Sequence, residues 1–141
     1  MANDSTRPEG PAVVFVPFER IGGEAPVREL VERFYDAMDD GEPELAALHQ
    51  CENGRVGRAT RDRFALFLIA WLGGPQHYME RYGHPRLRMR HGHVPVNSRM
   101  RDAWLRCMQK ALDGSVIDPD LRGFLDRKFA ELADFLRNRP D

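Results

Sequence analysis

Lysine is nearly absent from this sequence. Of 21 basic residues only Lys110 and Lys128 are lysines, and all the others are arginine. Arginine suits fixed, two-pronged contact with carboxylate or phosphate, although biased codon usage is the simpler account of most of them. Cysteine is scarce too. Cys51 and Cys107 are too few for a disulfide framework, Cys107 falls on an apolar helix face as a small core residue, and a reducing compartment fits. Net charge is only -1, which gives no global pull toward nucleic acid or a lipid surface. No apolar run approaches the ~18 residues that span a bilayer. The polar start of the chain lacks the apolar region of a secretory signal. A soluble, cytoplasmic protein is expected. Period-two alternation is never sustained, so no β-hairpin is expected. There is no His-Glu-x-x-His, no close cysteine pair, no Ser-His-Asp order and no glycine-rich phosphate loop after a strand.

What is present is helical periodicity cut by glycine and proline. Residues 1–15 form a tail expected to be disordered, followed by one domain over 16–139. A short apolar run at 13–18 opens a first short helix, and Gly22-Gly23 breaks it. Residues 24–40 read as a helix, with Pro26 in its first turn and Val27, Leu30, Val31, Phe34 and Met38 on one stripe. Tyr35 lies at the stripe's edge and reads as core. Leu45, Leu48 and His49 fit one helical turn, and residues 50–57 read as a loop. Residues 59–72 form a helix with Phe64, Phe67, Leu68 and Trp71 on a wide apolar face, stopped by Gly73-Gly74-Pro75. Residues 76–82 and 86–91 allow short helices. Asn97 or Ser98 caps the next helix, which carries Met100, Ala103, Trp104, Cys107, Met108 and Ala111 on one face. Pro119 opens the last, with Leu121, Phe124, Leu125, Phe129, Leu132, Phe135 and Leu136 as its buried side. The chain is all-α, and its glycine breaks argue against a simple four-helix bundle.

Five histidines are spread along the chain, and His91 and His93, two apart, point away from each other on a helix. No zinc site is expected. One histidine beside an aromatic-lined apolar pocket, with cations nearby, is instead the minimum for haem. His91, the Phe64/Phe67/Leu68 stripe and Arg86, Arg88 and Arg90 supply those parts. The residues alone also permit a solvated arginine face, a structural histidine and an aromatic stripe packed on a partner helix.

Several motifs decide between these readings. They are the breaks at Gly22-Gly23 and Gly73-Gly74-Pro75, the run Gly-His-Pro-Arg-Leu-Arg-Met-Arg-His at 83–91, and Arg-Asp-Ala-Trp-Leu-Arg-Cys-Met at 101–108. Together and in order, over about residues 19–137, they resemble the group II truncated haemoglobins of the 2-on-2 globin family. The resemblance implies a truncated globin fold, a 2-on-2 helical sandwich around one haem b (iron protoporphyrin IX). It implies His91 as the proximal iron ligand. On the distal side it implies Trp104 and Tyr35 as donors to a bound ligand, His49 as a third donor, and Thr60 on the distal helix. Phe64, Phe67, Leu68 and Met89 would line the haem, and Arg63 and Arg90 would meet its propionates.

The implied function is reversible binding of oxygen and other diatomic ligands, with the distal donors favouring tight retention or redox chemistry. One alternative is a nitric-oxide dioxygenase or peroxidase-like enzyme. No flavin or nicotinamide domain is read in these residues, so its electrons would come from an external reductase. Another is a haem-free helical interaction module, against which His91, Tyr35 and Trp104 together argue. A monomer or homodimer is expected, with neither nucleic acid nor membrane as partner. The chain departs from the family in three places. His93 and Val94 stand where a proline and an aromatic are usual, residues 50–57 are longer, and Met100 replaces an acidic residue.

Overall fold

The computed structural model describes residues 15–92 and 94–140. Most of the expected tail, and His93, lie outside them. Among the described residues eight helices follow in order: α1 (Pro17–Ile21), α2 (Glu24–Gly41), α3 (Pro43–Ala46), α4 (Arg58–Trp71), α5 (His77–Tyr82), α6 (Leu87–Arg90), α7 (Ser98–Asp113) and α8 (Pro119–Phe135). Their starts follow local chemistry. The Asn97 side chain accepts the N–H of Met100, and Asp118 accepts that of Leu121, so α7 and α8 each open on a side-chain cap. Proline stands in the first turn of α1, α3 and α8, where no intrahelical donor is lost.

The core is a two-on-two arrangement. Helix α2 packs against α4 on one side and α7 on the other, and α7 packs against α8. Val27, Leu30, Val31, Phe34 and Met38 of α2 have no exposed surface, as their spacing predicts. Met108, Leu112, Leu121 and Leu125 continue that core through α7 and α8. Phe135 differs from expectation. It is half-exposed in the last turn of α8.

The Gly73-Gly74 break does more than stop α4. A Cβ on Gly74 would stand 2.7 Å from the Phe18 ring and 2.9 Å from the Ile69 carbonyl oxygen. Only glycine lets α1 lie this close to the end of α4, where the Phe18 N–H reaches the Leu72 carbonyl at 2.9 Å.

The segment 50–57 is not an open loop. Cys51–Glu52 (β1) pairs antiparallel with Arg55–Val56 (β2). The connection is Asn53-Gly54, with φ of 54° and 78°, both left-handed. Two such residues favour the primed hairpin turn, and asparagine followed by glycine is its usual sequence. The hairpin therefore has a two-residue local signal, which strand alternation over so short a span does not reveal.

Candidate functional site

A cavity of about 390 Å³ lies between the helix pairs. Small-molecule and cofactor pockets typically measure about 300–1,000 Å³. Phe64 and Phe67 of α4, Tyr78, Leu87, Val96, Met100 and Leu132 make its walls largely apolar. Polar side chains reach it from several places in the chain: Tyr35 on α2, His49 after α3, Thr60 and Arg63 on α4, Tyr78 on α5, His91 at the end of α6, and Arg101 and Trp104 on α7.

His91 caps a helix of only four residues. Its Nδ1 lies 2.8 Å from the Leu87 carbonyl oxygen. A carbonyl only accepts, so Nδ1 carries the proton, and neutral His91 keeps its lone pair on Nε2. Metal-binding histidines are typically oriented in this way, by a carbonyl that accepts from the other ring nitrogen.

His49 repeats that geometry. Its Nδ1 donates to the Leu45 carbonyl at 3.0 Å, and its ring stands edge-on to Tyr35 at 5.7 Å. Burial holds the imidazolium pKa below its ordinary value, so the ring is neutral near pH 7. His49 therefore presents an acceptor nitrogen at Nε2, not the donor that a third distal contact suggests.

Tyr35 is 4% exposed, and burial pushes its phenol pKa upward, so it stays a neutral O–H donor. Its ring packs edge-on against Phe34 and Phe64. Trp104 is wedged between Phe34, at 5.1 Å between ring centroids, and Phe129, at 6.0 Å. Neither the Tyr35 hydroxyl nor the Trp104 indole N–H pairs with another described residue, and the Nε2 atoms of both histidines are likewise unpaired among them. Buried polar groups are nearly always satisfied. Tyr35 is buried, and His49, His91 and Trp104 are half-buried; unpaired among the described residues and lining one largely apolar cavity, they point to a ligand as their partner.

The arginines divide sharply. Arg63 lines the cavity from an exposed position, lies 5.2 Å over the Tyr82 ring and makes no ion pair among the described residues. Arg101 also lines it but is engaged by Asp134 at 2.8 Å. Arg61 is different again, with its side chain 6% exposed. It donates to Val56 O at 2.9 Å, Asp36 at 2.9 Å, Glu32 at 3.0 Å and Asp39 at 2.8 Å, and the Asp39 side chain is 2% exposed. Asp39 also accepts the Val56 N–H, and the Arg61 guanidinium lies 5.7 Å from the Tyr35 ring centroid. This buried pair ties α2, α4 and the hairpin together behind Tyr35. Sequence reading misses it, yet a signal exists. Arg61 stands in phase with Ala65 and Leu68, on the core side of α4, where a charge demands a partner.

The family model for bacterial-like globins matches residues 17–138. A group 2 truncated hemoglobin of Bacillus subtilis is 36% identical over 109 residues, covering 77% of this chain and 78% of that protein. A cold-adapted truncated hemoglobin from Pseudoalteromonas haloplanktis superposes with a TM-score of 0.82 at 37% identity, covering 89% of this chain and 99% of that one. The group II truncated hemoglobin of Bacillus anthracis gives 0.83 at 32% identity, over 92% and 96%.

The chain belongs to the group II truncated haemoglobins.

A haem cofactor goes with this globin family, and the cavity of this truncated haemoglobin fits one. It offers flat apolar walls, a histidine with a free Nε2, and a cation without a carboxylate partner. The structure gathers Tyr35, His49, Thr60, Arg63, Phe64, Phe67, His91 and Trp104 around this one space. It does not bring in two others. Leu68 has no exposed surface and sits in the core, one position round α4 from Phe67, so it does not line the cavity. Met89 is 64% exposed and points away, because a one-turn helix that aims His91 and Leu87 inward turns Met89 outward. The side chain of Arg90 lies outside the described residues. Leu45, Leu48, Tyr78, Leu87, Val96, Met100 and Leu132 are lining residues that sequence reading leaves out. The four-residue spacing of Met100 and Trp104 is the signal for one of them.

Proposed function

We propose that the cavity holds haem b, with His91 Nε2 as the protein ligand to iron and the opposite wall shaped to retain a small ligand. Reversible binding of oxygen and other diatomics is the chemistry that the haem supplies. The observation that carries the reading is the set of four unpaired polar groups around one apolar cavity.

Each residue then has a role. The Leu87 carbonyl fixes the His91 tautomer and raises the basicity of Nε2. Tyr35 and Trp104 aim an O–H and an N–H at the space left for a ligand. Phe64 and Phe67, nearly parallel at 11°, offer ring faces to the macrocycle. Arg63 is the described cation free to meet a propionate. Arg90 stands beside His91 in sequence and is a second partner for that role. Two donors in an apolar site favour tight retention over easy release, since each neutral hydrogen bond contributes about 0.5–1.5 kcal/mol. A truncated oxygen-avid haemoglobin of Bacillus subtilis, 33% identical over 88% of this chain and 100% of that one, agrees with that direction.

His49 favours a second use of the same pocket. Its acceptor nitrogen suits a ligand that carries a proton, such as hydrogen peroxide, with electrons from an external reductase. The first experiment is the absorption spectrum of the purified protein, ferric and dithionite-reduced, beside His91→Ala. A strong Soret band that is lost or shifted in the variant is expected. A colourless protein that fails to take up added haemin would overturn the reading.

A further inference from the structure

Beyond α8 the chain turns back across the loop that follows His91. Asn138 lies on that loop. Its side-chain amide nitrogen donates to the His91 carbonyl at 2.9 Å and to the Val94 carbonyl at 3.0 Å. Its amide oxygen accepts the Val96 N–H at 2.9 Å. The Asn138 backbone N–H reaches the Val96 carbonyl at 2.8 Å, and the Arg139 N–H shares that carbonyl at 3.1 Å. The Arg139 guanidinium adds the Gly92 carbonyl at 3.3 Å.

Two features make this more than surface decoration. The Asn138 amide uses both of its N–H groups and its oxygen, all on one loop. Rotating the amide would set its oxygen against two carbonyls and its NH2 against an N–H, so the orientation has no competitor. Among the described residues the loop is otherwise held by the packing of Val96 on the core and of Val94 and Val96 against the cavity, with no further long-range backbone hydrogen bond. Helix α6 is one turn long, too short to be stable alone. Inside the loop, Val94 N–H to His91 O at 2.9 Å is a local turn that moves with the segment. The long-range anchors of the His91 backbone come from the C-terminal segment.

We propose that Asn138 is a positioning residue for His91. The imidazole is fixed at two points, Nδ1 on the Leu87 carbonyl and the backbone carbonyl on Asn138. Releasing the second lets the ring tilt and lengthens the first, which lowers the basicity of Nε2 and loosens its hold on iron. This inference rests on His91 being the iron ligand.

The test compares haem-loaded wild type with Asn138→Ala, Asn138→Asp, Arg139→Ala and His91→Ala. The readouts are the iron–histidine stretching band of the ferrous protein by resonance Raman, haemin loss to a scavenger, and amide exchange at Val96. Asn138 is exposed and follows the last helix, so its variants are expected to fold. Asn138→Ala removes all three side-chain hydrogen bonds; it should broaden or shift the band, speed Val96 exchange and speed haemin loss by about three- to tenfold, the effect expected from the one bond that holds the His91 carbonyl. Asn138→Asp should do at least as much, because it keeps the acceptor and sets a carboxylate against two carbonyls. Arg139→Ala should do less. An unchanged band and an unchanged loss rate in Asn138→Ala would overturn the inference, even if the melting temperature fell. Failure of the underlying reading looks different. Wild type would then lack the band, or His91→Ala would leave it in place, and the inference would fall with that reading.

Discussion

Tyr35, Trp104 and His49 face the same space with unlike chemistry, and their substitution should separate them. Tyr35→Phe and Trp104→Phe each remove a donor and keep a ring. Each should raise the oxygen dissociation rate by about two- to tenfold, the range for one neutral hydrogen bond. Stopped-flow displacement of oxygen by carbon monoxide reads this directly. His49→Leu should leave that rate within about twofold, because Nε2 is an acceptor and oxygen offers it no proton. A large increase in His49→Leu would mean that His49 donates after all. The thiols give a simpler contrast. Burial pushes Cys107 up to about 11, whereas Cys51 is exposed on β1. Native protein should take up one equivalent of iodoacetamide at pH 8, at Cys51, and mass spectrometry should find Cys107 unmodified. Single residues were only partly legible in the sequence. The family resemblance marks His91, Tyr35 and Trp104 without any structure, although by spacing alone Tyr35 reads as core. The tautomer of His49 rests on a carbonyl four residues back, and no residue type announces that.

At the scale of elements, the hairpin and the arginine cluster act as one unit. Arg61 and Asp39 form a buried pair, which need not add net stability over apolar residues, but removing one partner strands the other. Arg61→Ala should therefore destabilise the protein by about 3–5 kcal/mol, the usual cost of breaking a buried pair. Chemical denaturation measures it, and a cost below about 1 kcal/mol, the scale of an exposed pair, would show that water reaches Asp39 freely. The rim of the cluster titrates. Hydrogen bonding from Arg58 holds Glu32 below its ordinary 4.5. Asp36 also lies below its ordinary 3.8, since burial acts against that and the bonds from Arg61 and Arg55 outweigh it. Both carboxylates are depressed in the folded state, so their contribution is present above the ordinary values and is lost as pH falls through the lower folded ones. Melting temperature should drop more steeply below pH 4.5 in wild type than in a Glu32→Gln, Asp36→Asn variant. The helices of this region were legible because each buries a stripe of 3.6-residue period. The hairpin was not, because two-residue strands carry no periodicity and only Asn53-Gly54 marks the turn.

For the whole molecule, the helical stripes and the breaks such as Gly73-Gly74 made the chain legible as all-α and unlike a simple four-helix bundle, whereas the pairing of the helices two on two was legible only through the family resemblance. The cavity was legible only in outline. Its walls combine α2, α4, α6, α7 and α8, and residues such as Leu45, Tyr78, Val96 and Leu132 reach it through the three-dimensional path of the chain. That construction has a consequence for stability. The core shared by α2, α7 and α8 is closed by side chains alone, with Phe34, Met108, Leu121 and Leu125 at most 1% exposed. The cavity region is not closed in that way, since the Tyr35 hydroxyl, the Trp104 indole N–H and the Nε2 atoms of His49 and His91 have no partner among the described residues. Haem should thus stabilise the folded chain by mass action without being needed to form most of its helices. A ligand at a thousand times its dissociation constant contributes about 4 kcal/mol. At roughly 2–4 °C per kcal/mol for a chain near this size, the apoprotein should melt on the order of 10 °C lower. Circular dichroism of acid-acetone apoprotein, refolded and compared with the haem-loaded form, checks both parts. Helical signal should be largely kept and the midpoint lowered. Equal midpoints would mean that the cavity closes on itself without a ligand, and that its four unpaired groups find partners within the chain.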